Sequence, residues 1–182
     1  MTAETLLQVF STDIEGFALR TLQGALRSAE YPASLGVGIA GEATEAEMEA
    51  TDWDAAILRW KTPELHEVAL IDRELRADSP DVEAIIEAHV QSVANGDDPT
   101  GQLIVTDHLR KTRAVYSVQI LPAMLLDEDH GAWAALDTVL RCIAAQTGGL
   151  IWLAGEGYCD SDGELLLAEN YDEEDDDTGG DD

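Results

Sequence analysis

The chain has 182 residues, of which 38 are Asp or Glu and 10 are Lys or Arg, so its formal net charge is −28. Apolar residues make up 45%, enough for the packed core of one domain at this length. The acid excess argues against a surface built mainly for nucleic acid, which needs a basic footprint. No apolar run approaches the ~18 residues of a membrane span. The opening MTAETLL lacks the basic n-region and apolar core of a secretory signal. Two cysteines, Cys142 and Cys159, are too few for a disulfide framework or a zinc site. The reading that remains is a soluble, cytoplasmic protein.

In chain order, residues 5–10 (TLLQVF) read as a short strand or as an earlier turn of the first helix, and the helical spacing Leu6, Phe10, Ile14, Phe17 favours the helix. Ser11, Thr12 or Asp13 offers a cap, and Leu22, Ala25 and Leu26 extend the apolar stripe until Tyr31-Pro32 ends it. Leu35–Ala40 is a short strand candidate. Ala55–Trp60 and His66–Leu75 flank a turn with Thr62-Pro63 and predict a hairpin. The clearest helix follows: Ser79 as N-cap, Pro80 at the first position, an apolar face from Val82 to Val93, and Asn95-Gly96 as its stop. Leu103–Asp107 and Ala114–Leu121 are expected as strands around a turn at His108–Arg113. A third helix runs from about Gly131 to Thr147, and Gly148-Gly149 ends it. Leu150–Ala154 and Glu164–Ala168 form a last strand pair, with Asp162-Gly163 as the turn signal.

Helices and strands do not alternate regularly, so the expected class is α+β. It comprises a mainly antiparallel sheet packed, on one face, against two or three amphipathic helices. Residues 1–168 form the single acidic domain, and 169–182 an acidic tail in which 172–182 (DEEDDDTGGDD) contain no apolar side chain and stay disordered. The expected core includes Phe17, Leu22, Ile57, Leu70, Ile85, Val90, Ile104, Val118, Trp133, Leu140 and Ile151. The order α-βββ-α-ββ-α over residues 12–147 resembles that of YbjN-like proteins and of the small acidic chaperones of type III secretion. That resemblance implies a protein-binding dimer rather than an enzyme.

Catalytic signals are absent. His66, His89, His108 and His130 show no spacing that sets two ligands on one face. His89 sits on an apolar helical stripe and is expected as a hydrogen-bonded, partly buried histidine. Cys159 lies beside Asp160 and Asp162, which disfavour a thiolate. Asp160, Asp162 and Glu164 are a turn rather than a calcium loop. Gly36, Gly38 and Gly41 match a dinucleotide fingerprint only in spacing, because glutamates follow where a pyrophosphate would sit. No cofactor and no metal are implied. The few cations carry more information: seven of the ten fall in residues 59–76 and 110–113. Arg110, Lys111 and Arg113, with Trp60 as an aromatic anchor, are the candidate partner-binding residues. Local ion pairs with Asp107, Asp72 or Glu74 are the alternative use for these cations. The favoured function is a non-enzymatic protein-binding or chaperone-like adaptor. The competing readings are a nucleic-acid-associated regulator using the basic turn, and an enzyme whose carboxylates hold a cationic or metal-bound substrate.

Overall fold

Alternate residues of the first strand face different helices, and that alternation organises the molecule. The computed structural model describes residues 5–37, 43–61, 64–126 and 131–169. Strands β1 (Thr5–Ser11), β2 (Ala33–Gly36), β3 (Ala55–Lys61), β4 (Leu65–Leu75), β5 (Ala114–Ile120), β6 (Leu150–Leu153), β7 (Gly157–Cys159) and β8 (Leu165–Ala168) form one sheet in the order β2-β3-β4-β5-β1-β6-β7-β8. Every neighbouring pair is antiparallel. The helices are α1 (Leu19–Ser28), α2 (Glu45–Glu49), α3 (Pro80–Val93), α4 (Pro99–Lys111) and α5 (Gly131–Thr147), with a 3₁₀ helix at Pro122–Leu126. The α+β class with an antiparallel sheet is therefore as expected. The helices, however, cover both faces. Val9 of β1, Tyr116 of β5 and Ile151 of β6 join the core under α1 and α5. Their chain neighbours Phe10, Val115 and Leu150 join a second core with α3 and α4, because successive side chains of a strand point to opposite faces.

That two-sided burial explains the first correction. TLLQVF is a strand, not a helical turn, because a central strand covered on both faces shows an apolar run instead of alternation. Helix α1 starts at Leu19, later than Ser11–Asp13 suggested. Those polar side chains make turns instead: Ser11 Oγ accepts from the Asp13 amide at 3.1 Å, and Asp13 Oδ1 from that of Glu15 at 2.9 Å. The edge strand β2 ends at Gly36, short of Ala40, and residues 38–40 lie outside the described residues. Its backbone is met by the buried Gln23 of α1, which accepts from the Leu35 amide at 3.0 Å and donates to the Ala33 carbonyl at 3.3 Å. Gly36 needs no nucleotide to account for it, since a Cβ there would lie 2.1 Å from the Arg59 guanidinium. Gly38 and Gly41 fall outside the described residues.

The hairpin of β3 and β4 and the helices α3 and α5 match expectation, although the Thr62-Pro63 turn lies outside the described residues. Leu103–Asp107 does not form a strand. It is the middle of α4, started by Asp98, whose Oδ1 accepts from the Thr100 amide at 3.0 Å, and by Pro99 at the first helical position. Ile104 is consequently 48% exposed rather than in the core, and Leu70, Ile85, Val90 and Trp133 are half-buried. The final pair is a three-stranded meander, with β7 between β6 and β8. Its β7–β8 turn is the Asp162-Gly163 turn, Gly163 having φ +81°. Asp160 Oδ1 accepts there from the amides of Asp162 and Glu164, both at 2.9 Å. Arg73 also departs from expectation. Asp72 and Glu74 point to the other face of β4, so the buried Arg73 reaches the loop ahead of α1 instead. There it donates to the Ile14 carbonyl at 2.7 Å and lies 6.0 Å from the Tyr116 ring centre.

Candidate functional site

Helix α4 ends with His108, Arg110 and Lys111 in its last turn, where positive charge complements the negative end of the helix dipole. His108 Nε2 lies 2.8 Å from the Phe10 carbonyl oxygen and ties this turn to β1. The helix stops at Thr112, and Arg113 leads directly into β5. The expected turn at His108–Arg113 is thus a helix end. Into this end comes Arg76, from the chain just beyond β4. Its Nη1 donates to the carbonyls of Arg110 (3.0 Å) and Thr112 (3.1 Å), which have no helical partner. Its Nε and Nη2 form a fork on Glu83 of α3, at 2.6 and 2.7 Å. The hydrogen bonds of that pair raise the Arg76 pKa and lower that of Glu83.

Thr12, Arg76, Arg110, Lys111 and Arg113 line an open concavity of about 620 Å³. The positive charges are not equivalent. Arg76 is matched by Glu83, and Lys111 by Asp107 one helical turn away at 2.6 Å. The Asp107 pairing is one of the local ion pairs anticipated from sequence. Arg110 and Arg113 are exposed, and among the described residues no carboxylate pairs with either. Two uncompensated guanidinium groups therefore stand on the surface of a chain whose net charge is −28.

The same helix carries an apolar feature. Thr100, Leu103, Ile104, Asp107, Arg110 and Lys111 recur at helical spacing and are all exposed. Leu103 is 73% and Ile104 48% exposed, so the N-terminal half of this stripe is aliphatic and the C-terminal half cationic. Gly101, on the opposite side, lets the helix settle onto β8, where a Cβ would come 2.4 Å from the Leu166 carbonyl oxygen.

Trp60 does not belong to this surface. It pairs with His66 at one end of β4, whereas Ala114, next to Arg113, pairs with Leu75 at the other. About nine residues of strand at ~3.3 Å each separate them by roughly 30 Å. Trp60 instead packs within the fold, 6.3 Å from the Tyr31 ring and against Gly131, where a Cβ would lie 2.8 Å from its ring.

A second polar constellation lies between α3 and the sheet. His89 meets Phe10, Trp152 and Tyr158 edge-on, with ring centres 4.8, 4.7 and 5.9 Å away. Its Nδ1 is 2.6 Å from the Tyr158 hydroxyl and its Nε2 2.8 Å from Gln8 Oε1, while Gln8 Nε2 donates to Ser117 Oγ at 3.2 Å. One assignment satisfies all four groups: Tyr158 O–H donates to Nδ1, and Nε2–H donates to Gln8. Burial pushes the His89 pKa down to about 4, so the ring is neutral and the relay intact at pH 7. The histidine expected to be hydrogen-bonded and partly buried has that environment. Burial also raises both thiols, Cys142 and Cys159, and the carboxylate of Glu156 raises Cys159 further. Among the described residues no group of three or more His, Cys, Asp or Glu could hold a metal ion, and no helix is long and apolar enough to cross a membrane.

Comparison of the chain with protein-family models, with curated proteins and with solved structures finds no match. Over residues 12–147 the observed element order has the helix α4 in place of one expected strand. Sequence reasoning singled out Arg110, Lys111 and Arg113, which the structure brings together. It missed Arg76 as their organiser and Leu103 and Ile104 as their neighbours. Asp98-Pro99, the same cap-and-proline signal as Ser79-Pro80, marks the helix that unites them.

Proposed function

We propose that this protein is a non-enzymatic, protein-binding adaptor that takes its partner on the exposed face of α4. The observation that carries this reading is the stripe itself, with exposed Leu103 and Ile104 running into Arg110 and Arg113, two cations without a carboxylate partner among the described residues. Over thirteen residues α4 spans roughly 20 Å, the length of a short helical or extended segment. The partner segment of matching chemistry carries aliphatic residues followed by carboxylates. Apolar contact supplies the affinity, and the two guanidinium groups set orientation, since charge complementarity acts mainly on specificity and encounter rate. The body's net negative charge repels acidic chains over most of the remaining surface and so favours this landing place. The chaperone-like variant of the reading places an unfolded or extended client on the same stripe.

Affinity purification of the tagged protein from its own cells, run in parallel with a Leu103→Ser/Arg110→Ala variant, tests the proposal. A stoichiometric protein retained by the wild type and lost with the variant is the expected result. A partner retained equally by both, or a preparation carrying a metabolite or metal and no protein, overturns it.

A further inference from the structure

A different part of the molecule carries an inference independent of the α4 reading. Between α5 and the β6–β7 hairpin, on the sheet face opposite α4, lies a cleft of about 460 Å³. Leu7, Ile151 and Leu153 form its floor, and Leu136 and Leu140 its helical wall. This volume is within the range of small-molecule sites, and an apolar lining with few polar groups is their usual composition. Trp133, half-buried, lines it as well and adds an aromatic surface of the kind that attracts cations.

The charges at the rim give the site a sign. Asp137 and Arg141 both line the cleft, but they neutralise each other through an Arg141 Nε to Asp137 Oδ2 bond of 2.7 Å. A second arm of Arg141 is held by the Asp162 carbonyl. Gly163 leaves room for it on the other side, where a Cβ would strike the guanidinium. Glu156 is different. It is exposed, lines the cleft, and has no cation paired with it among the described residues. Its charge reaches into the cleft, since it helps hold the Cys159 thiol protonated. The rim therefore carries one uncompensated negative charge beside an apolar floor, in a protein whose overall field concentrates cations and repels anions.

We propose that this cleft is a binding site for a small amphiphilic monocation, with an aromatic or aliphatic body seated between α5 and β6 and its ammonium group at Glu156. The experiment is a calorimetric titration in 0.15 M salt with three ligands of one shape: 1-naphthylmethylammonium, the neutral 1-naphthylmethanol and the anionic 1-naphthoate. Each is titrated into the full chain and into the Glu156→Gln, Ala154→Trp and Glu87→Gln variants. Ala154 and Glu156 are exposed at the mouth, so neither change disturbs the core, and Glu87 on α3 reports the effect of losing any one surface charge. The expected order is cation over alcohol over acid. Glu156→Gln weakens the cation by roughly fivefold, the worth of one exposed, solvent-screened ion pair, and leaves the alcohol unchanged. Ala154→Trp abolishes both, and Glu87→Gln changes neither. Equal binding of the three ligands overturns the proposal. So does equal weakening of the cation by Glu156→Gln and Glu87→Gln, which would assign it to the general field. Binding that survives Ala154→Trp would place the ligand elsewhere and overturn it too.

Discussion

The two faces of the sheet are built from different materials. Under α1 and α5 the core is larger and mainly apolar, with Arg73 and Gln23 as buried polar side chains at its margin, and α5 buries Ala132, Ala135, Leu136, Val139, Leu140, Ile143 and Ala144. Under α3 and α4 the core is smaller, and a polar relay from Tyr158 through His89 and Gln8 to Ser117 runs through it. An apolar face tolerates small displacements at a cost graded by volume. A hydrogen-bonded face holds only while each donor and acceptor keeps its partner. The first face therefore answers to side-chain volume and the second to pH and to hydrogen-bond geometry, and each can be broken separately.

The largest effect is expected on the apolar face. Leu140 is 2% exposed, and Leu140→Ala should destabilise the fold by ~2–5 kcal/mol, the loss of transfer energy plus the cavity left behind. Denaturant unfolding measures it, and a change below ~1 kcal/mol would mean that the α5 face is loosely packed despite its burial.

The other face should respond to acid. The His89 pKa is about 4 in the folded protein and 6.5 when unfolded. Above pH 6.5 the ring is neutral in both states and the stability is complete. As pH falls toward 4, the unfolded chain takes up a proton that the folded chain refuses. The folded state then loses ~1.4 kcal/mol per pH unit, roughly 3 kcal/mol in all. Carboxylates titrate in the same range, so the comparison is with His89→Gln, which keeps a polar side chain without the titration. The variant's stability should fall less steeply between pH 6.5 and 4.5. Parallel curves would show that protonation of His89 is accommodated in the fold.

Between these two faces stands Arg76, which joins β4, α3 and α4. Arg76→Met keeps the aliphatic stem and removes the fork on Glu83 and the two bonds to the end of α4. Charge-assisted hydrogen bonds that are partly exposed make this worth ~1–3 kcal/mol. Faster amide exchange over the last turn of α4, with α5 unaffected, is the local signature expected.

Much of this contrast was legible in the sequence, and what was not has identifiable causes. Helix α3 has the Ser79-Pro80 start and α5 the Gly148-Gly149 stop, each has a single apolar stripe, and each of these signals acts within a few residues. The α5 face was visible through them. Strand β1 was misread because an apolar run buried on both sides has no period of its own, and its accidental spacing matched a helix. For α4 the aliphatic run Leu103-Ile104-Val105 outweighed the Asp98-Pro99 start, although two of those three residues are in or near solvent rather than in a sheet. With Leu103–Asp107 as a strand, Arg110 to Arg113 becomes a hairpin turn and Ile104 becomes core, so the stripe that joins them disappears. Only sequence proximity to Arg59 and Lys61 associates Trp60 with the basic residues. Its distance from them depends on the whole length of β4, which no local pattern encodes. Arg73 carries a legible signal against pairing with Asp72 or Glu74, since a residue on a strand seldom reaches its immediate neighbours.

The smallest effect on stability concerns Asp107, which sits in the middle of the α4 stripe and binds Lys111. Both side chains are well exposed, at 60% and 65%, so the pair contributes only ~0.3–0.5 kcal/mol and Asp107→Asn should unfold almost as the wild type does. Its effect on the surface is larger than its effect on the fold. Removing the carboxylate releases Lys111, adding a third uncompensated cation to Arg110 and Arg113 on a face that already carries Leu103 and Ile104. A fluorescent peptide with two leucines followed by three glutamates should then bind roughly two- to fivefold more tightly in 0.05 M salt, the weight of one screened charge near the surface. The gain should vanish at 0.5 M salt, where the Debye length falls to ~4 Å, while the apolar part of the binding remains. A peptide affinity that ignores Asp107→Asn at low salt would separate the stripe's two halves, leaving Leu103 and Ile104 as the contact and the arginines as no more than a helix terminus balanced against its dipole.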